Sequence, residues 1–180
     1  MLTRLLIAAL VLAVANALVL GVRAWWAFPV RVGSESMQPA LAAGDRLIVM
    51  RRVGLDDLER GDIVVVALAS TAEGPRPATG DDRVARLVVK RVVGLPGETI
   101  QGAEQVVAVS RTDPLREPWA RWGQDDSRFG PLELAADEVY VLGDTRDRSE
   151  DSRRFGAVPA AALRGRAALR VWPPSDWGRP

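Results

Sequence analysis

The longest uninterrupted apolar run in the chain lies near its start. From Leu5 to Val22, LLIAALVLAVANALVLGV passes without a charge between Arg4 and Arg23. As a helix it would be about 27 Å long at ~1.5 Å per residue, close to the thickness of a bilayer core. Trp25, Trp26 and Phe28 follow, where amphipathic rings favour the headgroup level. The pattern predicts one membrane anchor with an interfacial aromatic segment over residues 1–28. A cleavable leader is a competing reading, because MLTR and Ala15-Asn16-Ala17 supply a basic start and a small-x-small site. Against it, the apolar run continues through Leu18, Val19 and Leu20. A buried core helix is the third reading. Arg4 and the amino terminus oppose Arg23 and Arg31, so charge barely biases the orientation.

Beyond Phe28 the periodicity changes to short β-rich runs cut by turn residues. They cover Arg46 to Met50, Asp62 to Leu68, Val84 to Leu95, Glu98 to Ser110, Asp137 to Leu142 and Arg166 to Trp172. Helix is scarce; Pro159 to Leu163 predicts one short turn with proline at its start. The fold class expected is mainly β, an antiparallel sheet partly closed like a barrel or folded as a sandwich. Ser70 to Asp82, rich in Gly, Pro and charge, is expected to be an exposed loop. Thr112 to Pro131 is expected to be an excursion from the core, within a small inserted subdomain at 100–136. The prolines of VWPPSDWGRP, Val171 to Pro180, predict a cap or tail.

Composition narrows the chemistry. The formal net charge is +1, with 23 acidic residues interleaved among the basic ones, which excludes a nucleic-acid partner held by bulk phosphate attraction. There is no His and no Cys, which removes Ser-His-Asp and thiol catalysis and His- or Cys-based metal sites. No cofactor or metal is expected. Of the 24 Lys+Arg residues one alone is lysine, Lys90, inside the apolar run LVVKRVVGL. Arginine stays protonated, whereas lysine loses its proton when desolvated, so Lys90 is the one cation suited to general-base work. Strand alternation puts Lys90 with Val88 and Val92 on one face and Arg91 with Val89 and Val93 on the other.

Two further segments carry candidate chemistry. VGSESMQPAL, Val32 to Leu41, places two serines between Gly33 and Pro39. A tight turn of this kind presents a hydroxyl beside backbone amides, although a polar loop reads the same way. VLGDTRDRSEDSRRFGAVP, Val141 to Pro159, runs from a strand into alternating acids, arginines and hydroxyls. It is either a solvated, ion-paired turn or a support in which Asp144, Asp151, Arg146 and Arg153 hold a loop that brings Ser149 to the lysine.

Taken together, GSESMQPAL, VVKRVVGLPGE and GDTRDRSEDSRRFG, in that order behind an apolar helix, resemble the boxes of the bacterial type I signal peptidases, membrane-anchored serine proteases with a Ser-Lys dyad. The resemblance implies Ser36 as nucleophile and Lys90 as base, with the Ser34 hydroxyl helping the Ser36 amide to form an oxyanion hole. It further implies that Ser149 orients Lys90 and that Arg91, Asp144, Arg146, Asp151 and Arg153 support the site. Thr145 and Arg148 stand where the family usually has Asn, and Arg154 where it has an aromatic.

The resemblance also implies the biology. The substrates expected are secretory preproteins cut after small residues, laid along a strand edge with Val32, Met37 and Val89 in the wall. The expected protein is a monomer in a bacterial plasma membrane, single-pass, with a cytoplasmic N-terminus and an extracytoplasmic catalytic domain at 29–180. The alternatives are an inactive anchored β-domain that binds peptides or envelope proteins, and another Ser-Lys peptidase such as the soluble self-cleaving repressors. The latter would carry a DNA-binding helical domain in place of the apolar run.

Overall fold

The computed structural model describes residues 2–180 apart from Arg52, Asp81, Ala85, Arg111 and Thr112; the side chains of Leu2, Thr3, Leu5, Val22, Arg23, Ala24, Trp25 and Asp113 also lie outside the description. A helix, α1 (Leu2–Trp25), precedes the strands. These are, in chain order, β1 (Ala27–Arg31), β2 (Arg46–Met50), β3 (Ile63–Thr71), β4 (Gly74–Pro77), β5 (Arg86–Gly94), β6 (Thr99–Ala103), β7 (Val106–Val109), β8 (Asp113–Pro114), β9 (Phe129–Glu133), β10 (Glu138–Leu142), β11 (Val158–Pro159) and β12 (Leu163–Trp172). A second helix, α2 (Ser152–Phe155), is one turn long.

Among the described residues no helix is long and apolar enough to cross a membrane. Within α1 the unbroken run of described side chains extends from Leu6 to Gly21 and is solvent-exposed throughout. Of the expected interfacial rings, the Trp25 side chain lies outside the described residues and Trp26 is exposed. Phe28 is not a free ring: it packs beside the Val32 and Met37 cluster, with the Arg51 guanidinium 4.3 Å from its centroid.

Two antiparallel sheets form. The larger follows the order β1-β2-β12-β3-β5-β10-β11, with β4 added to β3; the smaller follows β8-β7-β6-β9. The expected mainly antiparallel β structure is therefore present, without a closed barrel. Among the described strands the larger path has two free ends, because β1 pairs only with β2 and the two-residue β11 only with β10. The divergence begins at β5, whose residues 86–91 pair with β3 while 91–94 pair with β10.

Central strands feed cores on both faces, which explains their continuous apolar runs. On β3, Val64, Val66 and Leu68 join Val92, Val139, Val141 and Phe155, while Ile63 and Val65 join Leu47, Val49, Met37 and Leu41 on the opposite face. β10 works the same way: Val139 and Val141 enter the first cluster, and Tyr140 and Leu142 enter a third with Val93, Ile100 and Leu134, which ties the smaller sheet to the larger. Each fully buried Val or Leu stabilises by roughly 1.5–3 kcal/mol relative to exposure.

Other expectations need correction. Glu98 to Ser110 is a hairpin, with Glu104 and Gln105 at positive φ between β6 and β7. Ser70 to Asp82 is less open than expected, because β3 continues to Thr71 and pairs with β4 over Leu68↔Pro77 to Thr71↔Gly74. The C-terminal segment, by contrast, folds back as one of the two forms expected, a cap, with Arg170 and Gly178 bonded through their backbones at 2.7 and 3.2 Å.

Candidate active site

The loop between β1 and β2 carries both serines of the motif. Its ends are tied by Val32 N to Asp45 O and Gly44 N to Val32 O, each 2.8 Å, and a helical bond from Leu41 N to Met37 O turns the chain between them. Met37 and Leu41 are fully buried and plug the loop into the core, leaving Ser34 exposed and Ser36 buried. The loop is held from the other side by Thr145. Its amide donates to Ser36 O at 3.0 Å, and its hydroxyl lies 3.1 and 2.9 Å from the Glu35 and Gln38 carbonyls. Thr145, where the resemblance implies Asn, thus secures the serine turn.

β5 delivers Lys90, which pairs with Val64 of β3 and is 3% exposed. Its Nζ donates to Ser36 Oγ at 2.7 Å, across 54 positions of sequence. Ser34 Oγ stands 3.1 Å from Ser36 Oγ. Burial lowers the ammonium from its ordinary 10.5 to about 8, aided by the positive charges of Arg86 and Arg153 and opposed by Asp151 and Asp144. The three expected wall residues, Val32, Met37 and Val89, line one groove of about 610 Å³ with Ser34, Ser36 and Lys90. Met37 is wholly covered and contributes as the floor beneath the surface.

The segment after β10 forms a lattice of ion pairs. Arg91 is buried. Its fork grips Asp144 at 2.8 and 2.6 Å, Nη1 donates to Gly61 O at 2.7 Å, and the guanidinium lies 4.9 Å from the Trp119 ring centroid. Asp151 is fully buried, accepts from Gly143 N at 3.0 Å and from Arg153 Nε and Nη2 at 2.8 Å each, and caps α2. Arg153 continues to Arg146 O and to Asp125. Arg146 donates to Gly143 O, pairs with Glu117 and lies 4.5 Å from the Trp122 centroid. Pairs so buried are costly to break on one side only, roughly 3–5 kcal/mol.

The expected bond from Ser149 to Lys90 is not formed. Ser149 Oγ is buried and, among the described residues, without a hydrogen-bond partner, while the lysine nitrogen is engaged by Ser36. Ser149 sits against Gly143, where an added Cβ would collide with the Ser149 hydroxyl and lie 2.8 Å from Ser36 O. Gly143 is thus the gap through which the third segment approaches the serine loop. Sequence reading did not assign Gly143, Thr145, Glu117, Trp119, Trp122, Asp125 or Ser127. The signal available was the two tryptophans among Arg and Asp between 112 and 131, which stack on Arg91 and Arg146.

A buried, readily deprotonated amine in contact with a hydroxyl is an arrangement for acyl transfer. Sequence comparison with known proteins agrees. A family model described as signal peptidase, peptidase S26, matches residues 4–172. The signal peptidase I of Leptolyngbya laminosa is 36% identical over 162 residues, 89% of this chain and 76% of that protein. The probable signal peptidase I-2 of Synechocystis sp. (strain ATCC 27184 / PCC 6803 / Kazusa) is 34% identical over 157 residues, 87% and 68% of the respective chains. The crystal structure of a signal peptidase I from Enterococcus faecalis V583 overlaps 62% of this chain and 97% of that one, at 26% identity and a TM-score of 0.46.

Proposed function

The chain belongs to the signal peptidase family, peptidase S26, and from that premise we propose that Ser36 and Lys90 form its catalytic dyad. Its activity is that of a signal peptidase I, a serine endopeptidase acting on preproteins. Neutral Lys90 takes the proton of Ser36, whose oxygen adds to the scissile carbonyl; the new oxyanion is held by the Ser34 hydroxyl and the Ser36 amide. Lys90 then returns the proton to the leaving amine, the C–N bond breaks, and a water deprotonated by Lys90 releases the acyl group and regenerates Ser36. Ser149, its buried hydroxyl unpartnered among the described residues, is the positioning hydroxyl that Lys90 meets when its amine gives up the bond to Ser36. Arg91, Asp144, Arg146, Asp151 and Arg153 maintain the loop that carries it.

The preprotein lies as an extended strand in the groove between β1 and the first half of β5, two strands that run parallel and whose facing edges are unpaired among the described residues. Main-chain bonds provide affinity, and shallow contacts near Val32 and Val89 favour small side chains. α1 anchors the protein in a bacterial plasma membrane with a cytoplasmic N-terminus, leaving a monomeric catalytic domain, 29–180, with its 100–136 insertion on the far side. Support comes from the uncharged Leu5 to Val22 run and from Leu6, Leu10, Val14 and Leu18, each more than half exposed. Sharing a surface with the substrate raises its effective concentration.

The observation that carries the reading is the 2.7 Å contact between the Lys90 amine and the Ser36 hydroxyl inside a buried site. Incubation of the purified protein with a preprotein bearing an Ala-x-Ala site tests it. Wild type should yield the processed band and Ser36→Ala none; equal processing by both would remove Ser36 from the chemistry.

A further inference from the structure

We propose that Arg148 and Arg31 make the groove select for charge, favouring substrates with an acidic side chain within about two residues of the cut and disfavouring those with a basic one there. The inference rests on the peptidase reading above and adds a specificity to it.

It begins with the charges that line the groove, Arg31, Arg86, Lys90, Arg148 and Glu150. Arg86 is paired with Glu150, so those two largely cancel. Lys90 is uncharged when it acts as base. Two cations remain. Arg31 forms no ion pair among the described residues, and its cross-strand partner in the β1–β2 register is another cation, Arg46. Like charges directly opposite repel, and an anion between them and the solvent relieves that repulsion. Arg148 has only a loose partner, Glu35 at 3.7 Å, with side chains 70% and 58% exposed. A pair so long and so wet contributes little and yields readily to a competing carboxylate.

Position gives these two arginines their meaning. Arg148 precedes Ser149, and its partner Glu35 precedes Ser36, so the guanidinium stands over the serine turn. Arg31 lies three residues before Ser34, about 10 Å along an extended chain. A peptide threaded through the groove passes both while its scissile carbonyl rests at Ser36 Oγ. Successive side chains of an extended peptide alternate in direction, so one or two positions near the cut face the arginines. Neither guanidinium hydrogen-bonds to protein among the described residues, and each is free to meet a carboxylate.

The test uses the purified full chain and quenched-fluorescence peptides with an Ala-x-Ala site. With both alanines kept, the x position of the site and the first two positions after the cut carry Asp, Asn or Lys in turn, and kcat/KM is read as an Asp:Lys ratio within each enzyme, so loss of overall turnover in a variant does not matter. Exposed pairs of this kind give about three- to tenfold between opposite charges. Wild type should therefore prefer Asp over Lys by that factor at one or more positions. The ratio should invert in Arg148→Glu or in Arg31→Glu, and should fall towards one in 0.5 M salt as screening shortens to a few Å. A wild-type ratio near one at every position, or a ratio unchanged in both variants, overturns the proposal. Failure of wild type to cut even the Asn peptides would instead sink the peptidase reading beneath it.

Discussion

Replacing Lys90 by Arg keeps the positive charge and a donor for Ser36 on a somewhat larger side chain, and removes the capacity to become neutral. The size of the effect follows from the burial of the lysine. With its proton released at about 8 instead of 10.5, roughly a tenth of the enzyme is in the base form at pH 7, against about 0.03% for a solvated lysine, a gain of about 300-fold. This corresponds to ~3 kcal/mol at 1.36 kcal/mol per unit. The wild-type rate should therefore rise about tenfold per pH unit below 8 and level off above ~9, since kcat/KM reports the free enzyme's essential base. Lys90→Arg should lose turnover at every pH while retaining its fold by circular dichroism. The assay is kcat/KM for a fluorogenic Ala-x-Ala peptide from pH 6 to 10. A flat profile between 6 and 9, a midpoint near 10.5, or substantial turnover by Lys90→Arg would refute the assignment.

Two further outcomes follow from the same geometry. The folded chain releases the Lys90 proton near 8 and the unfolded chain near 10.5, so the unfolded state binds more protons between these values. Stability therefore rises with pH from 8 to 10.5 and carries the full penalty below 8. Lys90→Met should melt higher than wild type at pH 7, by up to ~3 kcal/mol, with the difference shrinking towards pH 10.5; a variant that melts lower at pH 7 contradicts this. Gly143→Ala drives a methyl group into Ser149 and to 2.8 Å from Ser36 O, displacing both. Its kcat/KM should fall by about 10²-fold, in line with a displacement of about 1 Å at a reacting group, and a value within twofold of wild type would show that the approach of these segments is not critical.

Much of this protein was legible as pattern. Apolar alternation located β2, β3, β5, β10 and β12 to within a few residues, because each turns apolar side chains into a core and burial writes itself into side-chain type. The strands that escaped are those whose burial is weak or whose composition reads as turn. β1 carries Pro29 and half-exposed positions, β4 is Gly-Pro-Arg-Pro, and β9 contains Gly130 and Pro131. Their pairing is decided by neighbours from elsewhere in the chain, and no local periodicity records it.

The same division applies to the site. By itself the sequence determined which chemistries were open: with no His, no Cys and a single lysine in an apolar run, a hydroxyl activated by an amine was the main nucleophilic chemistry left. Only the tertiary structure decided that Lys90, 54 positions from Ser36, lies 2.7 Å from it and not out in water. The tertiary structure also decided that Trp119 and Trp122 lie beside Arg91 and Arg146, and that Thr145 holds the serine turn. The reason is physical. A residue's type sets what it can do when desolvated or charged, but the desolvation and the partner come from strands whose register is set across the whole sheet.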